Sequence, residues 1–361
     1  MLEQVGLLPL FIKENITADE GDRIEKAYQK TGKDALLKEA TARKVIPFVA
    51  RTCVALDLDA DFWSERLEDY RERNRKILAM LDRVYQTLEK HGVRKMFVTE
   101  NVGALLSANG DIGLFASGDV DNCADVSERD KIYSAFEELG FERKERFALR
   151  NQISCSFHPH DAEIGDAFYI NVDFHPLARL KLPCFVDADD FVDWDALYTY
   201  GDTAIKLPPP DALMYICLLH ISLHSFSRAP DARLYLDIIH MAKCPIHYES
   251  LGEWAARDHT QTRLATAGMI AKTLFDVDIP GWLLKRQGAN AVLKQVYDMT
   301  GNDLIYEPHG LKVLWIELLC DDIGWWHGLK EMAFPNKEWV AATYGGAGVL
   351  AYLKHMLRIL R

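Results

Sequence analysis

Apolar residues recur every three or four positions along residues 61–90. Trp63, Leu67, Tyr70, Ile77, Leu81, Val84 and Leu88 make one stripe, so a helix capped by Asp61 and running to about Lys90 is expected. Asn74 fills the single gap in that stripe. A buried Asn must be hydrogen-bonded, so it either braces a neighbouring loop or lines a cleft; bracing is the expected role. Gly92 ends the helix and the period changes. Lys95–Val98 predicts a short strand, Asn101–Ser107 a brief helix, Asn109–Asp111 a turn, and Gly113–Ala116 a second strand. Ser127 and Asp130 predict a helix start, with a helical pattern from Lys131 to Leu139 closed by Gly140. Phe147–Phe157 and Ala167–His175 are expected strands. The second alternates Phe168, Ile170, Val172 and Phe174 with Tyr169, Asn171, Asp173 and His175.

From Pro208 the pattern is helical again. Pro208-Pro209-Pro210-Asp211 leads a helix to about Ser225, and Asp231 caps another over Ala232–Lys243. Further helices are expected at 261–275, 290–299, 311–320 and 347–361. The fold class is therefore α+β: a small mixed sheet flanked by N- and C-terminal helical regions. Expected boundaries are 1–90 for the first helical region, 91–200 for the α/β core and 201–361 for the second helical region.

Composition narrows the function. Forty-two basic against 54 acidic residues give a net charge of −12, which argues against a nonspecific nucleic-acid binder. The opening residues lack a basic start and a small-residue cleavage site, and no run reaches the ~18 apolar residues of a membrane span. Seven cysteines without a Cys-x-x-Cys pair fit reduced thiols. A cytoplasmic location is expected.

Candidate chemistry centres on Ser117-Gly118-Asp119-Val120-Asp121. In an extended backbone Asp119 and Asp121 project to one side, where their charges repel unless a cation or a proton intervenes. Mg²⁺ suits such a pair, because it takes one or two carboxylates together with waters and phosphate oxygens. Asp173, on the polar side of its strand, is a third candidate. Three carboxylates can hold two ions about 3.5–4 Å apart, as phosphoryl-transfer enzymes do.

The order of these elements resembles the DNA polymerase β-like nucleotidyltransferase superfamily, specifically its uncharacterised bacterial nucleotidyltransferase family. That family is often found in biosynthetic and peptide-modification gene neighbourhoods. The resemblance runs over residues 35–245 and rests on several elements in order. These are Val45-Ile46-Pro47, the helix bearing Asn74, Phe97 to Leu106 and Gly118-Asp119-Val120-Asp121. After them come Leu139-Gly140-Phe141, Asn171-Val172-Asp173-Phe174-His175-Pro176, the helix with His220 and His224, and Leu234 to His240. It implies a nucleotidyltransferase core that moves a nucleoside monophosphate from a nucleoside triphosphate such as ATP to a small molecule or peptide. Asp119, Asp121 and Asp173 would be the catalytic and metal-binding residues, with one or two Mg²⁺ ions, and Asp173 would orient the acceptor hydroxyl. Two alternatives accompany this reading: a protein of the same fold that binds without turnover, and a toxin-like nucleic-acid modifier.

The phosphate-binding turn departs from the family pattern. It reads Thr99-Glu100-Asn101-Val102-Gly103, and Asn101 tolerates the left-handed backbone the turn needs. Glu100 is expected to point away from the cleft or to reach a metal. Candidate nucleotide contacts are Asn101, Ser117 and Gly118, with Arg143 and Arg146 from the basic run that also holds Lys144 and Arg150. That run also fits a solvated strand edge. His220 and His224 share a helix face, and with Asp237 and His240 are expected to brace the helical region rather than to bind zinc. The last helix is expected to dock by its leucine face.

Overall fold

The computed structural model describes residues 7–147, 153–159, 168–174, 186, 188–224, 226 and 234–300, and within the remainder 315–316, 318–320, 322–324, 326, 329–330, 333–334 and 337–359. The chain opens with α1 (Leu7–Ile12), α2 (Ala18–Thr31), α3 (Lys33–Ala42), α4 (Ile46–Ala55) and α5 (Ala60–Lys90). Thr17 and Glu20 form a reciprocal capping box at the start of α2. The cap of α5 is Asp59, so Asp61 lies inside the first turn. Trp63, Leu67, Ile77, Leu81, Val84 and Leu88 are buried as expected, joined by Tyr85, whereas Tyr70 is only half-buried.

A five-stranded mixed sheet follows, in the order β1-β2-β5-β4-β3. Its strands are β1 (Met96–Val98), β2 (Asp119–Ala124), β3 (Glu142–Phe147), β4 (Ile153–His158) and β5 (Tyr169–Phe174). Helices α6 (Val102–Ser107) and α7 (Arg129–Glu138) lie between them in the chain. β2 runs parallel to β5; the other neighbouring pairs are antiparallel. Two strand expectations change. Residues 142–147 and 153–158 form an antiparallel pair, not one strand over 147–157. Ile112–Leu114 is a 3-10 turn, not a strand, because the Asp111 side chain accepts from the Gly113 N–H and caps the turn.

One face of the sheet carries Val120, Asn122, Ile170 and Phe157 and packs on α5 and α7. Tyr85 donates to Asn122 Oδ1 at 2.8 Å, and Phe136 of α7 stacks on Phe157 at 3.8 Å between ring centroids. The other face carries Asp119 and Asp121. Beyond the sheet come the two-residue strands β6 (Tyr198–Thr199) and β7 (Lys206–Leu207), and helices α8 (Pro210–Leu223), α9 (Leu234–Met241), α10 (Tyr248–Arg257), α11 (Gln261–Phe275), α12 (Gly281–Leu284), α13 (Gln287–Thr300), α14 (Lys337–Tyr344) and α15 (Val349–Ile359). α8 and α9 pack against α6, which brings the C-terminal half to the sheet edge. Against the expected docking of the last helix by its leucine face, the described leucines of α15 face outward: Leu350, Leu353 and Leu357 are 75%, 54% and 61% exposed. Arg150, Cys184 and Asp231 lie outside the described residues, as do 311–314 and 317 of the expected helix at 311–320. No described helix is long and apolar enough to cross a membrane.

The turn from β1 into α6 is closely packed. A Cβ on Gly103 would sit 2.8 Å from the Val98 carbonyl oxygen, closer than backbone atoms tolerate. Gly103→Ala is therefore expected to destabilise the protein by about 1–3 kcal/mol, because that oxygen belongs to β1 and has no rotamer to yield. Denaturant unfolding checks this; an unchanged midpoint would show that the turn relaxes freely.

Candidate active site

β2 and β5 build the site from alternation and register. Asp119 stands opposite Tyr169, Asp121 opposite Asn171 and Cys123 opposite Asp173. Cross-strand partners share a face, so Asp119, Asp121 and Asp173 lie on one side of the sheet. Tyr169 donates to Asp119 Oδ2 at 3.1 Å, and Ser117 Oγ donates to Asp119 Oδ1. Asn171 Nδ2 donates to Asp121 Oδ1 at 2.9 Å, and Asn101 Nδ2 donates to Asp121 Oδ2 at 3.1 Å. Each carboxylate oxygen thus holds one of these hydrogen bonds and retains further acceptor capacity. Asn101 reaches Asp121 from the left-handed region, with φ of 41°.

The pair carries the repulsion anticipated from its spacing. Burial, then the charges of Asp119, Glu100 and Asp173, raise the Asp121 carboxyl to about 8, against the opposing hydrogen bond from Asn171. A proton is thus held where a cation would otherwise be needed.

The loop before β2 is fixed from α5. Asn74 is fully buried, and its Nδ2 donates to the carbonyls of Ile112 and Phe115, both at 2.8 Å. Its neighbour Arg73 donates to the Ser117 carbonyl at 2.9 Å. Bracing, rather than lining a cleft, is what Asn74 does. A Cβ on Gly118 would meet no atom within 4 Å, so the space beside the Gly-Asp step is open.

Glu100 is turned from solvent toward α8. It is 9% exposed, and its Oε2 lies 2.6 Å from His220 Nδ1 on α8. His220 Nε2 in turn lies 3.0 Å from His224 Nε2. Burial would lower the His220 pKa, but the charge and hydrogen bond of Glu100, with Asp121 and Asp237 behind them, raise it to about 9. His240 is the opposite case: burial, with Lys243 and Arg51, depresses it to about 3, so its ring is neutral. With Asn101, Phe48, Phe115 and Asp237 it lines a cavity of about 20 Å³, room for roughly one water.

The basic run divides by register. Arg143 stands opposite Phe157, which stands opposite Ile170, which stands opposite Val120. It therefore lies on the face away from Asp119 and Asp121, with its guanidinium 4.2 Å from the centroid of the Tyr133 ring. The expected nucleotide contact from Arg143 is not made by this arrangement, because an odd register step separates it from the carboxylates. Lys144 is on the carboxylate face and pairs with Glu142 at 3.5 Å. Arg146 holds the position opposite Ser154, itself opposite Asp173.

A family model described as an uncharacterised nucleotidyltransferase matches residues 29–276, more than two thirds of the chain. The chain belongs to that family. The nucleotidyltransferase thus carries its carboxylate strand, the turn between β1 and α6 and the Glu100–His220 pair all within the matched span. No curated protein and no solved structure matches it.

Tyr169 and Asn171, the donors to the carboxylates, were not singled out by sequence as site residues, although alternation along β5 places them beside Asp173 on the polar side. His220 as the partner of Glu100 has no signal in spacing, since the two lie 120 positions apart. For a metal, the donor set is hard oxygen: two carboxylates and Asn171 Oδ1, a buried amide oxygen with no hydrogen-bond partner. With the open space at Gly118 this fits an Mg²⁺ completed by water and phosphate oxygens. Among the described residues no three His, Cys, Asp or Glu side chains are grouped as metal ligands. Asp119 and Asp121 are neighbours on one face of β2, and Asp173 of β5 shares that face.

Proposed function

We propose that the protein moves a nucleoside monophosphate from an Mg²⁺-bound nucleoside triphosphate to a hydroxyl or similar group of a small molecule or peptide. The observation that carries this reading is the carboxylate pair on β2, held by four side-chain donors and sharing a face with Asp173. When bound, Mg²⁺ supplies charge neutralisation for the triphosphate and for the leaving pyrophosphate. Asp119 and Asp121 would hold it, fixed by Ser117, Tyr169, Asn101 and Asn171. Asn101 and the Ser117-Gly118 step flank the nucleotide. Asp173 orients the acceptor hydroxyl and takes its proton as the oxygen attacks the α-phosphorus; the bond to the bridging oxygen breaks and pyrophosphate leaves. Catalysis is then positioning plus electrostatics. The net charge of −12 favours a small or peptide acceptor over a polyanionic one.

Thermal melting against pH tests the reading without a known acceptor. The folded-state pKa of Asp121 lies above its ordinary value of 3.8, so ionising it costs stability as pH rises toward about 8. The raised His220 contributes stability that is complete below 6.5 and is lost as pH passes about 9. Both have the same sign. In EDTA the melting temperature should fall from pH 6 to 9, and saturating Mg²⁺ should raise it most near pH 8, where the cation replaces the proton. ATP, GTP, CTP or UTP should add to the Mg²⁺ effect. If Mg²⁺ changes nothing, with or without nucleotide, the catalytic reading gives way to a binding protein without turnover.

A further inference from the structure

The turn between β1 and α6 flanks the nucleotide in the reading above, yet Glu100 places a carboxylate in it. The next residue, Asn101, donates from Nδ2 to Asp121 Oδ2 at 3.1 Å, so the turn borders the carboxylate pair. Next to a triphosphate in a partly dry cleft the Glu100 charge would repel the ligand. The fold answers this with a histidine from α8. The His220 side chain is 17% exposed, its Nδ1 lies 2.6 Å from Glu100 Oε2, and its Nε2 lies 3.0 Å from His224 Nε2. As an imidazolium it donates from both nitrogens, to Glu100 on one side and to His224 on the other. His224 caps the C-terminus of α8, so both rings stand where that helix end favours positive charge.

We propose that His220 is a positioning residue that holds Glu100 against α8 and cancels its charge, so that the phosphate-side turn accepts a polyanion only while no uncompensated carboxylate stands in it. The proposal rests on the nucleotidyl-transfer reading. It also explains why a carboxylate is tolerated in this turn: its partner is supplied by the helical half of the chain, not by the turn itself. The pair ties β1 and α6 to α8, so the site is complete only when the C-terminal helices are docked.

Rescue separates this role from simple bracing. Binding of Mg·ATP, and of the GTP, CTP and UTP complexes, is measured by titration calorimetry for wild type, His220→Asn, Glu100→Gln and the double variant, with melting curves confirming the fold. His220→Asn should weaken triphosphate binding at least tenfold, because it leaves Glu100 charged and unpaired. Glu100→Gln should bind as tightly as wild type or tighter. The double variant should return to within about twofold of Glu100→Gln. His220→Lys, which keeps a cation, should stay near wild type and serves if His220→Asn does not fold. Should His220→Asn bind normally, or the double variant bind no better than it, the clamp is overturned while the nucleotidyl-transfer reading stands. Wild type that binds none of the four triphosphates overturns both.

Discussion

Asp121→Asn is expected to lower nucleotidyl transfer by at least ~10²-fold, since under the proposed mechanism it removes one of two charges that would hold the cation at the reacting phosphate. The same substitution should not destabilise the metal-free protein. It relieves the repulsion that raises Asp121 to about 8, and Asn171 Oδ1, a buried acceptor with no partner, is beside it to receive an amide hydrogen. Pyrophosphate release and melting in EDTA should therefore move in different directions. Asp173→Asn should differ: near-normal nucleotide binding with turnover slowed ~10²–10⁴-fold, the range for loss of a general base. Loss of nucleotide binding in Asp173→Asn equal to that in Asp121→Asn would place Asp173 at the metal instead.

Asn74→Ala should be the most damaging single change to stability among the residues that shape the site. Among the described residues it strips the one side-chain donor reaching the Ile112 and Phe115 carbonyls, and it opens space at a fully buried position. The Ile112 carbonyl keeps the Phe115 N–H at 3.1 Å, so one buried acceptor, the Phe115 carbonyl, loses its side-chain donor; with the space opened around a buried side chain this predicts a loss of about 2–4 kcal/mol. Because the same stretch leads into Ser117, catalytic rate should fall more than stability alone explains. Urea unfolding and pyrophosphate release at a temperature where the variant remains folded check both parts. A stability loss below about 1 kcal/mol would mean that water replaces the amide without penalty.

Those side chains also show what the chain reveals before it folds. The α5 stripe and the alternation of β5 are local patterns, so the long helix, the strand and the shared side of Asp119 and Asp121 were legible from spacing, whereas Asp173 joins their face only through the register of β2 with β5. Asn74 was legible as a brace because a polar residue in an apolar stripe must be satisfied. The 3-10 turn at Ile112–Leu114 was not, since its apolar residues match a strand and the groups that fix it come from Asp111 and from α5. Arg143 illustrates a different limit. Its charge suggested phosphate binding, but which face it takes depends on three successive strand pairings that no local pattern encodes. Glu100 and His220 meet only because α8 packs on α6.

The parallel pairing of β2 with β5 has a consequence for the order in which the molecule assembles. Asp121 and Asn171 are hydrogen-bonded across a separation of 50 residues, whereas β3 and β4 join over a much shorter loop. Closing the longer loop carries the larger entropic penalty, so the hairpin is available first and β2 meets β5 afterwards. Asp121 therefore gains its Asn171 donor in the same late event that brings it alongside Asp173. A divalent cation present during refolding would ease that step, and its influence should appear in the refolding rate as well as in the final stability.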